Sequence, residues 1–389
     1  MFKWVLVGLV VVGVALSGFS LIESGGDGDV TATAQLSAPQ TDTSGFERAV
    51  APLEWSFPRN YGAHRTYQTE WWYYTGNVRD PEGRHFGYQF TIFRRAIAPE
   101  SEAASESEWR TNHMYMAHFT VSDIADQRFY HEQRFSRGGA GLADALPHDD
   151  APDAPYRVYL EDWEIAAVEG EADLFTIRAT SVNGFAVDLT LEALKAPALQ
   201  GEGGLSAKSG VPGNASHYYS HSRLATTGSI TLGEQVFAVE GLSWKDHEFS
   251  TSALGEDALG WDWFGLHFDD GRDLMIGQIR LVEGGKEPAF GGLLIEADGS
   301  TRYLPSDDFT ITPTVTWVSP HTGGEYPAGW EIRIESVDLT FTVTPLQPDQ
   351  ELYDSDPVYW EGAVELSGDV TGFGYAELTG YVDPMTRRF

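Results

Sequence analysis

The 389-residue chain contains no cysteine. Disulfides, thiol nucleophiles, zinc ribbons and a lipid anchor on cysteine are therefore excluded. Lysine is almost as scarce, found only at Lys3, Lys195, Lys208, Lys245 and Lys286. With 25 basic against 58 acidic residues the formal charge is −33. A surface this acidic repels phosphates and excludes nucleic acid as a partner. Scarce lysine on an acidic surface is also what salt adaptation produces, so the charge is read as habitat before function. No segment keeps an apolar face at helical spacing for more than about three turns. A Gly-x-Ser-x-Gly elbow between strand and helix is also missing, which leaves serine-hydrolase chemistry without mechanical support. Nothing in the chain calls for a cofactor. His217 and His221 sit four apart, but in a Gly-, Pro- and Ser-rich context, and no metal site is expected from them.

What is present begins with Lys3 and an apolar run from Trp4 to Ile22. A short basic start before such a run reads as a secretory signal, with Ala15-Leu16-Ser17 offering cleavage before Gly18. The run is also close to the roughly 20 apolar residues that cross a bilayer. Residues 1–22 are therefore expected to be a signal peptide or an uncleaved anchor, a membrane tether through residues 4–22. Residues 23–45, rich in Gly, Ser, Thr and Asp, read as a flexible tether. The expected location is periplasmic or secreted, or the inner membrane if the anchor is retained.

From residue 46 the pattern is β. Phe86, Tyr88, Phe90 and Ile92 fall on one face of a strand, and Met114, Met116 and His118 alternate with Tyr115, Ala117 and Phe119. Phe185, Val187, Leu189 and Leu191 repeat the pattern. Further strands are expected at 229–232, 235–244, 261–268, 273–282, 291–297, 331–344, 360–367 and 373–382. Asn183-Gly184, Asp270-Gly271 and Asp298-Gly299 supply the positive φ of tight hairpins. Many short antiparallel strands must pair into a sandwich or close into barrels. The strand count is roughly twice what one eight-stranded barrel needs. A change of texture at Gly201–Ser216 places the expected boundary between domains 46–216 and 217–389.

The informative signal lies in aromatic strings. These are Thr69-Glu70-Trp71-Trp72-Tyr73-Tyr74-Thr75-Gly76, Ala215-Ser216-His217-Tyr218-Tyr219-Ser220, Trp244-Lys245-Asp246-His247-Glu248-Phe249-Ser250 and Gly260-Trp261-Asp262-Trp263-Phe264. Tyr359-Trp360-Glu361-Gly362-Ala363 and Gly374-Tyr375-Ala376-Glu377-Leu378 follow near the end. In this order, from about Trp55 to Tyr381, they resemble the secreted AttH-like family, relatives of the carotenoid 1,2-hydratases. The resemblance implies an all-β fold of two lipocalin-like antiparallel β-barrels in tandem. It also implies a hydrophobic small-molecule partner, an isoprenoid or lipid.

Hydrating an isolated alkene needs a carboxyl acid with a raised pKa, aromatic faces for a cation, and an apolar slot. Asp246, His247 and Asp262 are the candidate catalytic residues. Glu70, Trp71, Trp72, Tyr218, Tyr219, Trp244, Glu248, Trp261 and Trp263 are the candidate ligand-binding residues. The expected geometry places Asp246 and His247 beneath Trp261 and Trp263, close to Glu70 and Tyr219. In an extended segment, however, Trp244, Asp246 and Glu248 share one face and Lys245, His247 and Phe249 the other. The blander alternatives are barrel-core aromatics at Trp71–Tyr74 and a buried structural pair at Asp246-His247. The hydratases carry further Tyr and Asp residues on the strand after the Asp-His motif. Here that strand reads Leu274-Met275-Ile276-Gly277-Gln278-Ile279, without a carboxylate. Two functions follow as expectations: addition of water to an isoprenoid or lipid double bond, or non-catalytic carriage of a lipid for an envelope transport system.

Overall fold

Side chains that alternate between apolar and polar, punctuated by glycine turns, build nearly the whole chain into strands. The computed structural model describes residues 43–100, 111–171, 173–251 and 254–385. The expected signal or anchor and almost all of the tether lie outside the described residues. Among those residues there is no α-helix, and no helix long and apolar enough to cross a membrane.

The first sheet runs, neighbour to neighbour, through Arg128–Arg137, His113–Asp123, His85–Ala96, Thr69–Arg79, Gln235–Ser250, Ala215–Leu232 and Phe185–Ala193. It continues through Leu174–Thr180, Trp163–Ala167, Arg157–Leu160 and Ala143–Leu146. The second runs through Thr301–Leu304, Gly292–Ile295, Asp273–Leu281, Ala258–Phe268, Gly372–Leu378, Tyr359–Gly368, Leu339–Pro345, Trp330–Ile334 and Phe309–Pro313. Each curls into a nearly closed antiparallel barrel around its own core. Phe86, Tyr88, Phe90 and Ile92 are fully buried in the first, as their alternation requires. Each contributes about 1.5–3 kcal/mol relative to an exposed side chain. Phe264, Leu266, Trp330 and Phe341 belong to the second core.

Two sequence expectations need correction. The sheet changes between Ser250 and Ala258, not at 216/217. The Gly- and Pro-rich stretch before Ser216 is a hairpin arm, Leu205–Ala207 pairing with Ala215–His217. The long strands that follow it complete the first barrel by joining Phe185–Ala193 to Thr69–Arg79. The single strand expected at 331–344 is a hairpin. Residues Glu335–Val337 form a 3-10 turn, and Asp338, at φ 49°, reverses the chain.

The barrels meet along their outer faces. Tyr73, Tyr218, Trp244, Trp263, Met275 and Tyr375 form an apolar cluster there. Asp273 of the second barrel is fully buried against Lys195 Nζ at 2.7 Å and Arg223 Nε at 3.0 Å from the first. Gly87 lies at this contact: a Cβ there would sit 2.5 Å from the Tyr375 hydroxyl and 2.9 Å from Ala363 Cβ.

Candidate functional site

Directly paired residues on antiparallel strands share a face. In the first sheet, Gln133, His118, Thr91, Tyr73, Asp246 and Ser220 lie opposite one another in turn across six strands. The row points out of the first barrel. In the second sheet, Glu361, Glu377, Trp263 and Gly277 form a corresponding row. The two rows touch: the Tyr73 hydroxyl donates to Glu361 Oε1 at 2.5 Å, and His118 Nδ1 lies 2.6 Å from the Tyr359 hydroxyl. Between them is a cavity of about 100 Å³, walled on its apolar side by Trp71, Phe93, Met116, Trp261, Trp263 and Phe290.

Four carboxyl groups line this cavity: Asp246, Glu248, Glu361 and Glu377. Asp246 Oδ2 accepts from Tyr218 at 2.7 Å, and Oδ1 from Ser220 at 2.5 Å and the Trp244 indole at 2.6 Å. Burial nevertheless pushes Asp246 up to about 7. Burial likewise pushes Glu377 up to about 8, although the Trp261 indole bonds to it. Burial, then the neighbouring Glu377, holds Glu361 well above the usual carboxylate range. Glu248 accepts from Ser216 at 2.5 Å and pairs with Lys208 Nζ at 2.8 Å. The site thus sets buried carboxyls that burial biases toward the acid form beside two indoles, a combination suited to protonating an electron-rich centre and sheltering the cation.

Of the residues expected at the site, Asp246, Trp71, Tyr218, Glu248, Trp261 and Trp263 line the cavity. Trp244 stands beside it, through its bond to Asp246. The remaining five do not. His247 follows Asp246 on an extended strand and so points to the opposite side of the sheet. There it meets Glu70 Oε1 at 2.8 Å and the Tyr219 hydroxyl at 3.1 Å, with Trp72 stacked on its ring at 4.9 Å. Glu70, Trp72 and Tyr219 belong with it in the interior of the first barrel. Asp246 and His247 therefore form neither a buried pair nor a joint site. Asp262, opposite in facing to Trp261 and Trp263, is held by Arg280 at 3.1 Å, Gln278 at 2.7 Å and Tyr381 at 2.9 Å.

Sequence reasoning missed Glu361, Glu377, Tyr73, Tyr359, His118 and Lys208. The two glutamates stood in quoted aromatic strings; what was lacking was the strand register that faces them toward Asp246.

One group could hold a metal ion among the described residues: His64, Glu70 and His247, with ligand atoms within 4.8 Å of one another. Their chemistry fits a satisfied ion pair better. Glu70 already accepts from the His64 backbone and ring, His247 and the buried Arg94, whose Nε is 3.0 Å away. Burial raises the Glu70 pKa, but Arg94 and the two histidines outweigh it and hold the carboxyl well below its usual range. A cation placed here would meet the Arg94 guanidinium.

Comparison with known proteins agrees with the aromatic strings. A family model described as AttH-like matches residues 48–381. The crystal structure of an AttH protein from Nitrosomonas europaea is 34% identical, covering 87% of this chain and 100% of that one, with a TM-score of 0.76. Kievitone hydratase from Nectria haematococca is 16% identical over 88% of this chain and 98% of its own, with a TM-score of 0.63, a likeness of fold alone. No curated protein matches. On the family match and the 34% identity together, the chain belongs to the AttH-like family.

Proposed function

We propose that the protein adds water to a double bond of a hydrophobic, isoprenoid- or lipid-like ligand held in the inter-barrel cavity. The observation that carries this reading is the set of buried carboxyls that line the cavity with Trp261 and Trp263 in an otherwise apolar wall, with burial favouring the acid form of Glu361 and Glu377. A general acid protonates one alkene carbon, and the positive charge develops on the other. An indole face stabilises such a desolvated cation by about 2 kcal/mol or more. Asp246, bonded by three donors, is suited to the carboxylate form, which balances the cation and takes the proton that the attacking water loses. A hydratase among the structural neighbours supports the reading at the level of fold only.

The test uses acyclic isoprenoid alkenes in ¹⁸O-labelled water, with alcohol products read by mass spectrometry. Wild type is expected to give a singly labelled alcohol. Asp246→Asn is expected to lose about 10²–10⁴-fold in rate, with its melting temperature retained. If no isoprenoid or fatty alkene is hydrated while lipid still co-purifies, the catalytic reading fails and the non-catalytic carrier takes its place.

A further inference from the structure

Four carboxyls share one cavity, and their hydrogen bonds distinguish them. Both oxygens of Asp246 are taken by donors. Glu248 is ion-paired with Lys208. Glu377 bonds to the Trp261 indole, which can only donate. Glu361 differs. Tyr73 donates to its Oε1, Tyr359 also bonds to it, and Oε2 has no partner at all although the residue is buried and lines the cavity. Glu377 lies directly across the strand pair from Glu361. Two adjacent buried carboxyls do not both ionise cheaply, so the pair retains a proton.

The surroundings of Tyr359 decide where that proton sits. Gln133 Oε1 accepts from the Asp356 backbone N–H at 3.4 Å and its nitrogen lies 3.2 Å from the Asp356 carbonyl, an obligate acceptor, which identifies the NH₂ end and leaves its second hydrogen for another partner. That end is 2.6 Å from His118 Nε2, which must then be the acceptor. Burial, with His131 nearby, holds His118 down at about 3, so the ring is neutral and its one proton is on Nδ1. Nδ1 donates to the Tyr359 oxygen, and the Tyr359 proton is thereby turned toward Glu361. Facing two phenol donors, Glu361 can keep its own proton only on the remaining oxygen.

We propose that Glu361 is the proton donor of the cavity and that Gln133, His118 and Tyr359 form a positioning chain that keeps its proton on Oε2. This rests on the acid–base reading above. In the step, the Oε2–H bond breaks as the alkene π pair forms the new C–H bond. Water adds to the cationic carbon, Asp246 takes the proton that water loses, and exchange with solvent restores both carboxyls. The net change is alkene plus water to alcohol.

The test needs no substrate. Infrared spectra of protein carrying ¹³C-labelled glutamate report protonated side chains through the carboxylic C=O stretch. At pH 7 a labelled band with contributions from Glu361 and Glu377 is expected in wild type, and Glu361→Gln is expected to remove the Glu361 component and leave that of Glu377. Glu377 and Asp246 are the other titrating carboxyls facing Glu361, so Glu377→Gln and Asp246→Asn are recorded in parallel. In His118→Phe the Tyr359 hydroxyl is released to accept from Glu361. This favours the acid form, and Glu361 is expected to titrate roughly one pH unit higher. His118→Asn, whose amide can donate from the Nδ1 position, is expected to restore the wild-type titration. Tyr359→Phe gives a second route to the same loss. An unchanged band in Glu361→Gln overturns the donor assignment. Identical titrations in wild type, His118→Phe and Tyr359→Phe overturn the positioning chain. Loss of the Glu361 component without hydration of any alkene leaves this assignment standing and fails the proposed function instead.

Discussion

At Asp246 two effects pull in opposite directions: three donors favour the carboxylate, and burial favours the acid. The two come close to balance near neutrality, with Asp246 at about 7, and stability then depends on pH with a definite sign. Between about pH 6.5 and 8, folded Asp246 and Glu377 hold protons that an unfolded chain, with carboxyls near 4, has already lost. Stability therefore falls as pH rises through that window. Below about 6.5 the sign reverses for the buried histidines. His85 and His118 are held at about 3 and His217 and His247 at about 4, by burial first. The unfolded chain takes up protons that these refuse, so their contribution is lost as pH drops. Thermal melts from pH 6.5 to 8 check the first statement. The melting temperature is expected to decline in wild type and to decline less steeply in the Asp246→Asn/Glu377→Gln double variant, where Glu361 is the remaining raised carboxyl of the cavity. A wild-type melting temperature that rises across the window would remove the protonated carboxyls from the site. Glu70 belongs to the opposite class, a carboxylate whose charge is required. Glu70→Gln leaves the buried Arg94 without its ion partner and is expected to cost about 3–5 kcal/mol in a denaturant melt.

Among the strands, what was legible in the sequence was facing, not pairing. Period-two alternation placed Phe86 to Ile92 in a core and separated Asp246 from His247, and both hold. The same alternation contradicts the expectation that Asp246 and His247 share a cavity, because consecutive residues of a strand face opposite ways. Chemical resemblance had joined what geometry separates. Glu361 and Glu377 stayed unread for another reason. Their partners Tyr73 and Asp246 lie far away in sequence, and no local pattern encodes which outer face meets which. The boundary at 216/217 failed similarly, since a glycine-rich hairpin arm has the composition of a linker. Contact between the barrels gives two predictions. Gly87→Val drives a side chain into Tyr375 and Ala363 and is expected to cost about 1–3 kcal/mol by overpacking. Asp273→Ala strands Lys195 and Arg223 beside a buried gap and is expected to cost about 3–5 kcal/mol. Chemical denaturation measures both, and values within error of wild type would mean that the barrels do not depend on these contacts.

For the whole molecule the dominant quantity is a charge of −33 on a chain of 389 residues. Self-repulsion of this size destabilises a compact state and is screened by salt, with a Debye length of about 3 Å at 1 M. The melting temperature is expected to climb steadily with sodium chloride up to molar concentration. A flat or falling curve would count against salt adaptation as the source of the acidity. The interior ion pairs at Glu70 and Asp273 have little part in this, since buried pairs are screened far less than exposed ones.

The cavity lies outside both barrels, and its walls are their exterior positions. A ligand of the kind proposed would be expected to bind there without breaking a strand-to-strand hydrogen bond in either sheet. Amide exchange should register that difference. Occupancy is expected to slow exchange around Lys208 and Leu254, which line the cavity. The amides of the core strands, such as His85–Ala96 and Phe185–Ala193, should exchange at the same rate with and without a guest. In this arrangement affinity is expected to follow how firmly the two barrels are held together more than how readily either one unfolds.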